Sequence, residues 1–82
     1  MKPIGKITHY YDKAGVAIVE LTDTLKVGDK IKLEGGKTEF EQTVEEIQMD
    51  HKAISVAKAG DIVGIKVNQK IREGALVSKL EE

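Results

Sequence analysis

Basic and aromatic side chains are the groups of this 82-residue chain whose chemistry best suits partner binding. Lys66, Lys70 and Arg72 are close in sequence, and Tyr10 and Tyr11 are adjacent near the start of the chain. Lys and Arg bind phosphate groups, and an exposed Tyr can stack on a base or on a partner's side chain. These five residues form the predicted site for RNA or for a protein partner. The alternative is an ordinary solvated surface.

Acidic and imidazole side chains make a weaker case for catalysis. Asp29 and Asp61 could act as a general acid and base, but each follows a Gly at the start of a predicted strand, where Asp bonds to turn amides. His9 and His51 lack further ligands at metal-binding spacing, and a zinc site needs three or four ligands. The chain has no Cys. We therefore expect no catalytic residue, no metal, no cofactor and no enzymatic activity.

Charge and composition limit the class of protein. The chain has 13 Lys and Arg residues against 14 Asp and Glu, so its net charge is −1, whereas dedicated nucleic-acid binders are usually basic. No apolar run approaches the ~20 residues that a membrane-spanning helix needs. The length fits one domain, which we place over residues 1–82. We expect a soluble, cytoplasmic protein with no membrane partner.

Three Gly-led segments of similar sequence organise the chain. Residues 25–33 and 57–67 both contain Gly-Asp followed by alternating apolar residues, and residues 70–77 are a weaker third copy. Gly adopts a positive φ without steric cost, and Asp satisfies turn amides. Short strands separated by such turns are typical of small β-barrels. The predicted structural turn residues are Gly28, Asp29, Gly60, Asp61 and Gly74.

Apolar alternation predicts strands along most of the chain, but residues 40–49 fit two structures. Phe40, Val44 and Ile47 share one face of a helix. As a strand, the segment needs a change of phase near residues 45–46, as a β-bulge supplies. The local pattern favours the helix but leaves both structures open.

Two further predictions concern packing. Residues 16–21 are almost all apolar, which is typical of a strand covered on both faces. We expect the core to include six alternating residues of the strongest strands. These are Val19, Leu21, Ile31, Leu33, Val63 and Ile65.

The order of the segments carries a family resemblance. Its parts are Gly5-Lys6-Ile7, the Gly-Asp segment 25–31, Thr43–Gln48, the run 56–65 and the last Gly turn, 72–77. This order resembles the second domain of translational GTPases such as elongation factor Tu and initiation factor two. The same small barrel accompanies collagenase-like peptidases. The resemblance implies an all-β fold, a small closed six-stranded antiparallel barrel of the translation-protein type, with residues 40–49 as a bent strand.

The same resemblance implies a non-catalytic binding module that contacts RNA or the ribosome. A second hypothesis is a protein–protein docking module that serves a peptidase-like or modification enzyme. No G-x-x-x-x-G-K-[ST] phosphate-binding loop occurs in the chain, so we expect no GTP binding by this chain alone. Near-neutral charge and only three aromatic residues favour docking, whereas the family association favours translation.

Overall fold

The fold is built from β-strands throughout. The computed structural model describes residues 2–50 and 52–80, and within these residues it contains ten strands and no helix. The all-β prediction is confirmed. The strands are β1 (Lys2–Tyr11), β2 (Val16–Leu21), β3 (Leu25–Lys26), β4 (Lys30–Gly35), β5 (Thr38–Thr43), β6 (Ile47–Met49), β7 (Lys52–Ile54), β8 (Val56–Ala57), β9 (Ile62–Lys66) and β10 (Leu76–Lys79).

Eight of the strands form one antiparallel sheet, in the order β5-β4-β10-β1-β2-β9-β6-β7. The two short strands β3 and β8 pair separately, through Leu25 with Ala57 and Lys26 with Val56. The long β1 lies in the middle of the large sheet, where it pairs with β10 on one side and with β2 on the other. Because β1 spans ten residues, it can pair with β10 through residues 2–6 and with β2 through residues 5–11.

The ambiguous segment 40–49 forms two strands, which confirms the strand interpretation. β5 ends at Thr43 and β6 begins at Ile47, so residues 44–46 form the break. Phe40, Val44 and Ile47 are all buried, while Glu45 and Glu46 are exposed. The break shifts the alternation by one position, so the core-facing residues acquire helix-like spacing without a helix.

The strand pairing of the described residues does not confirm the expected six-stranded closed barrel. The ladder of the large sheet has eight strands, with β5 and β7 at the two ends, and no pairing joins these ends among the described residues. The side chain of Gln42 instead links β5 to the backbone at the end of β9. Gln42 on β5 donates from Nε2 to the carbonyl oxygen of Lys66 at 2.7 Å, and its Oε1 accepts from the backbone N–H of Asn68 at 2.9 Å.

One face of the sheet forms the hydrophobic core. All six predicted core residues are buried, and Ile4, Ile7, Leu25, Ile47 and Val77 join them. Gln42 is buried as well, and its two hydrogen bonds compensate for the loss of water. The buried face of each strand follows the period of two that the sequence shows.

The prediction for residues 16–21 was wrong in one respect. β2 buries Ala17, Val19 and Leu21, but Val16 and Ile18 on the other face are only half-buried. No other layer of the described chain covers this second face. β2 therefore carries more apolar side chains than the described chain buries.

We expect truncation of two isoleucines of β9 to change the free energy of unfolding by very different amounts. Ile65 is 1% exposed and Ile62 is 57% exposed. Ile65→Ala should lower the free energy of unfolding by about 2–5 kcal/mol, because it removes buried methyl groups and leaves a cavity. Ile62→Ala should change it by less than about 0.5 kcal/mol. Urea denaturation of both variants measures the difference, and equal effects would contradict the assigned faces of β9.

We also expect the Gln42 side chain to stabilise the fold through its amide. Gln42→Leu keeps the size of the side chain but leaves the Lys66 carbonyl and the Asn68 N–H without their partner. The cost should be about 1–3 kcal/mol in urea denaturation. Gln69→Leu is the control, because Gln69 is exposed and should respond by less than about 0.5 kcal/mol. A neutral Gln42→Leu would show that the bridge is dispensable.

Candidate functional site

Two Gly-Asp turns share one geometry. The backbone N–H of Asp29 donates to the carbonyl of Lys26 at 3.1 Å, and its Oδ2 accepts from the Lys26 N–H at 2.9 Å. Asp61 makes the same two bonds with Lys58, both at 3.0 Å. Gly28 and Gly60 adopt φ values of 98° and 91°, which a residue with a Cβ rarely adopts. Both aspartates are engaged in turns, which leaves them poorly placed for acid–base chemistry.

The third turn lacks the carboxylate. Gly74 has a φ of 88°, and the N–H of Ala75 donates to the carbonyl of Arg72 at 3.2 Å. In place of an Asp bond, the turn is fixed to β1. Gly74 donates to the carbonyl of Ile7 at 2.7 Å, and Ile7 donates to the carbonyl of Ala75 at 2.8 Å. These bonds hold Arg72 at a defined place beside the central strand.

Three of the five predicted site residues meet in one groove. We call it the basic groove, and it has a volume of about 360 Å³. Tyr10 contributes from β1, and Lys70 and Arg72 contribute from the connection between β9 and β10. The lining is completed by Asp12, Thr38 and the buried Ile71. The Lys70 ammonium lies 3.7 Å from the Asp12 carboxylate, so its charge is partly compensated within the groove.

The other two predicted site residues lie elsewhere. Lys66 lines a smaller groove beside Glu46 and Gln48. Tyr11 follows Tyr10 on β1 but points to the opposite face, as the alternation predicts. Tyr10 packs against the core, whereas Tyr11 is 51% exposed and its ring lies 4.4 Å from that of His9.

A second surface feature, the apolar groove, lies around Tyr11. It has a volume of about 420 Å³. Its apolar walls come from Tyr11, Val16, Ile18 and Ile62, and Gly64 lies between them. Sequence reasoning missed Ile18 and Ile62 as surface residues. The available signal was an excess of apolar residues at both alternating positions of β2 and β9.

Metal chemistry finds no support in the part of the chain that the structure describes. Residues 2–50 and 52–80 contain no group of three or more His, Asp or Glu side chains placed to hold a metal ion. His9 is paired with Glu73, with 3.0 Å between Nδ1 and the carboxylate oxygen. His51 lies outside the described residues. No helix in the described ranges could cross a membrane.

Comparison with known proteins decides the family. The peptidase family U32 C-terminal domain matches residues 2–77. The chain belongs to this family. It is also 41% identical over 80 residues to an uncharacterized protease of Methanocaldococcus jannaschii. That alignment covers 96% of this chain but only 20% of the relative, so the chain spans about one fifth of the relative's length.

Solved structures agree with this assignment at the level of the fold. The C-terminal domain of a Geobacillus thermoleovorans protein described as a U32 peptidase superposes with a TM-score of 0.91 at 22% identity, covering 98% of this chain and 93% of that one. The selenomethionine form of the same domain gives a TM-score of 0.88, with 94% and 98% coverage. Of the resemblances drawn from the sequence, the one to a barrel that accompanies peptidases is supported.

Proposed function

We propose that this chain is a non-catalytic accessory module that docks onto the catalytic part of a U32-family peptidase, on the same polypeptide or on a separate one. The apolar groove is the observation that carries the proposal. Exposed apolar side chains that line one groove are typical of protein interaction sites. Tyr11 is a suitable anchor, because Tyr is enriched at the energetic centres of interfaces.

The composition of β2 supports the same conclusion. Val16 and Ile18 face the apolar groove, although a strand with apolar residues on both faces is typical of a strand buried on both sides. Ile62 on the neighbouring β9 is 57% exposed. A partner lying across these strands would supply the missing layer, and it would bury the surface that the fold leaves open.

The relative indicates which partner fits. Four fifths of the Methanocaldococcus jannaschii protease lies outside the matched segment, so in that protein the domain is joined to a much larger remainder. A peptidase body is therefore the occupant we propose for the apolar groove. The large remainder also offers a surface of the size that a stable interface requires, whereas a short peptide would not cover both β2 and β9.

The RNA and ribosome hypothesis receives less support. It needs Lys66, Lys70 and Arg72 to act together, and Lys66 lines a different groove. The family match is to a peptidase domain rather than to a translation factor.

The expectations of no GTP binding by this chain, a cytoplasmic location and no cofactor stay predictions. The closed translation-type barrel also stays a prediction, and the Gln42 bridge from β5 to the end of β9 supports it.

We expect substitutions in the apolar groove to weaken docking without unfolding the chain. The test is affinity capture with the tagged 82-residue chain added as a separate protein to an extract of its native cells, followed by chemical crosslinking and mass spectrometry of the captured proteins. Wild type should enrich a U32-family peptidase. The Tyr11→Ser, Ile62→Ser double variant should reduce this enrichment about tenfold or more, because interface anchors contribute about 2 kcal/mol or more.

Leu76→Ser is the matched control for this experiment. Leu76 is 47% exposed but does not line the apolar groove, so its loss should leave the enrichment unchanged. Thermal denaturation must show that all variants remain folded. Wild-type capture without any U32-family protein would contradict the proposed function, as would equal enrichment by the double variant.

A further inference from the structure

The Arg72 side chain packs against a pair of glycines. Its Cγ and guanidinium lie against Gly35, the last residue of β4, and against Gly36 in the turn that follows. A Cβ on Gly36 would lie only 2.5 Å from Nη1 of Arg72, and one on Gly35 would lie 3.1 Å from its Cγ. Only residues without a side chain permit this approach. Arg72 is an exposed residue, and its guanidinium lies over this turn.

No carboxylate compensates Arg72 within the described residues. The neighbouring Glu73 is paired with His9, 3.0 Å from its Nδ1. Glu39 on β5 is bound by Lys32, and this hydrogen bond raises the pKa of the lysine above its ordinary value. Asp12, the one carboxylate of the basic groove, lies 3.7 Å from Lys70. Arg72 thus keeps its planar set of N–H donors available for an external acceptor.

Two hydroxyl groups accompany Arg72 in the basic groove. Tyr10 and Thr38 are both half-buried there, and the hydrogen bonds of the described chain include neither hydroxyl. Tyr10 packs against the core, so its ring has little freedom. A guanidinium that shares a groove with two hydroxyl groups is an arrangement that suits a planar anion, because carboxylates accept paired hydrogen bonds from Arg.

We propose that the basic groove binds a carboxylate of a peptide chain, with Arg72 as the bidentate donor and Tyr10 and Thr38 as supporting donors. The carboxylate is an acidic side chain or a C-terminus. This proposal rests on the proposed function, since a module that serves a peptidase would meet peptide chains. A nucleic-acid backbone fits less well, because it needs a row of cations and Lys66 lines a different groove.

The test is a titration of the ¹⁵N-labelled chain, followed by amide chemical shifts. One peptide carries an internal acidic residue and an amidated C-terminus, a second is neutral with a free C-terminus, and a third is neutral and amidated. We expect the first or the second peptide to shift the amides of residues 35–38 and 72–74. The third peptide should shift none of them. Comparison of the first two identifies the source of the carboxylate.

Variants assign the binding to Arg72. Arg72→Gln should weaken the affinity about tenfold or more, because a hydrogen bond to a charged group contributes about 1.5–3 kcal/mol. Lys66→Gln removes one charge in the neighbouring groove and should leave the affinity unchanged. Thr38→Val should weaken binding less than Arg72→Gln does. Thr38→Val also provides a readout if Arg72→Gln does not fold, which the amide spectrum itself reveals.

Three results would overturn the proposal. One is the absence of shifts with either carboxylate peptide at millimolar concentration, and another is equal binding by the neutral amidated peptide. The third is a larger shift of the same amides with a uridine oligonucleotide than with either carboxylate peptide. The Tyr11→Ser, Ile62→Ser variant separates this proposal from docking. It should bind the peptide as the wild type does. Loss of peptidase capture and loss of peptide binding can therefore be told apart.

Discussion

The side-chain amide of Gln42 links the parts of this small fold that matter for binding. It joins β5 to the backbone at the end of β9, where no strand pairing does so within the described residues. It binds the N–H of Asn68, which lies near the start of the connection from β9 to β10. The same connection carries Lys70 and Arg72. Gln42 thereby holds one wall of the basic groove beside β5, which supplies Thr38. A buried amide is stable there only because both its donor and its acceptor are satisfied.

The central strand β1 contributes side chains to two surface grooves. Tyr10 points toward the core and lines the basic groove, whereas Tyr11 points outward and lines the apolar groove. This separation follows from the alternation of strand side chains alone. It gives a domain of 82 residues one apolar groove, for which we propose a large partner, and one polar groove, for which we propose a small anionic group. The two surfaces share a scaffold but have different chemistry.

The sequence predicted the elements better than their assembly. The Gly-Asp turns and the buried residues Val19 and Ile65 follow from local chemistry and from a period of two. The phase change at residues 44–46 could be stated only as an alternative, because helix and interrupted strand give the same spacing there. The bridge by Gln42 and the separation of Lys66 from Arg72 depend on long-range register. No local pattern encodes that register.

We propose that a peptidase body covers the apolar groove. This contact can be measured by hydrogen–deuterium exchange of the chain, alone and with a U32-family peptidase from the same organism. We expect slower exchange in residues 16–18 and 62–64 when the peptidase is present, with residues 25–33 unchanged. Unaltered exchange in β2 and β9, or protection confined to other strands, would show that the peptidase does not cover this groove.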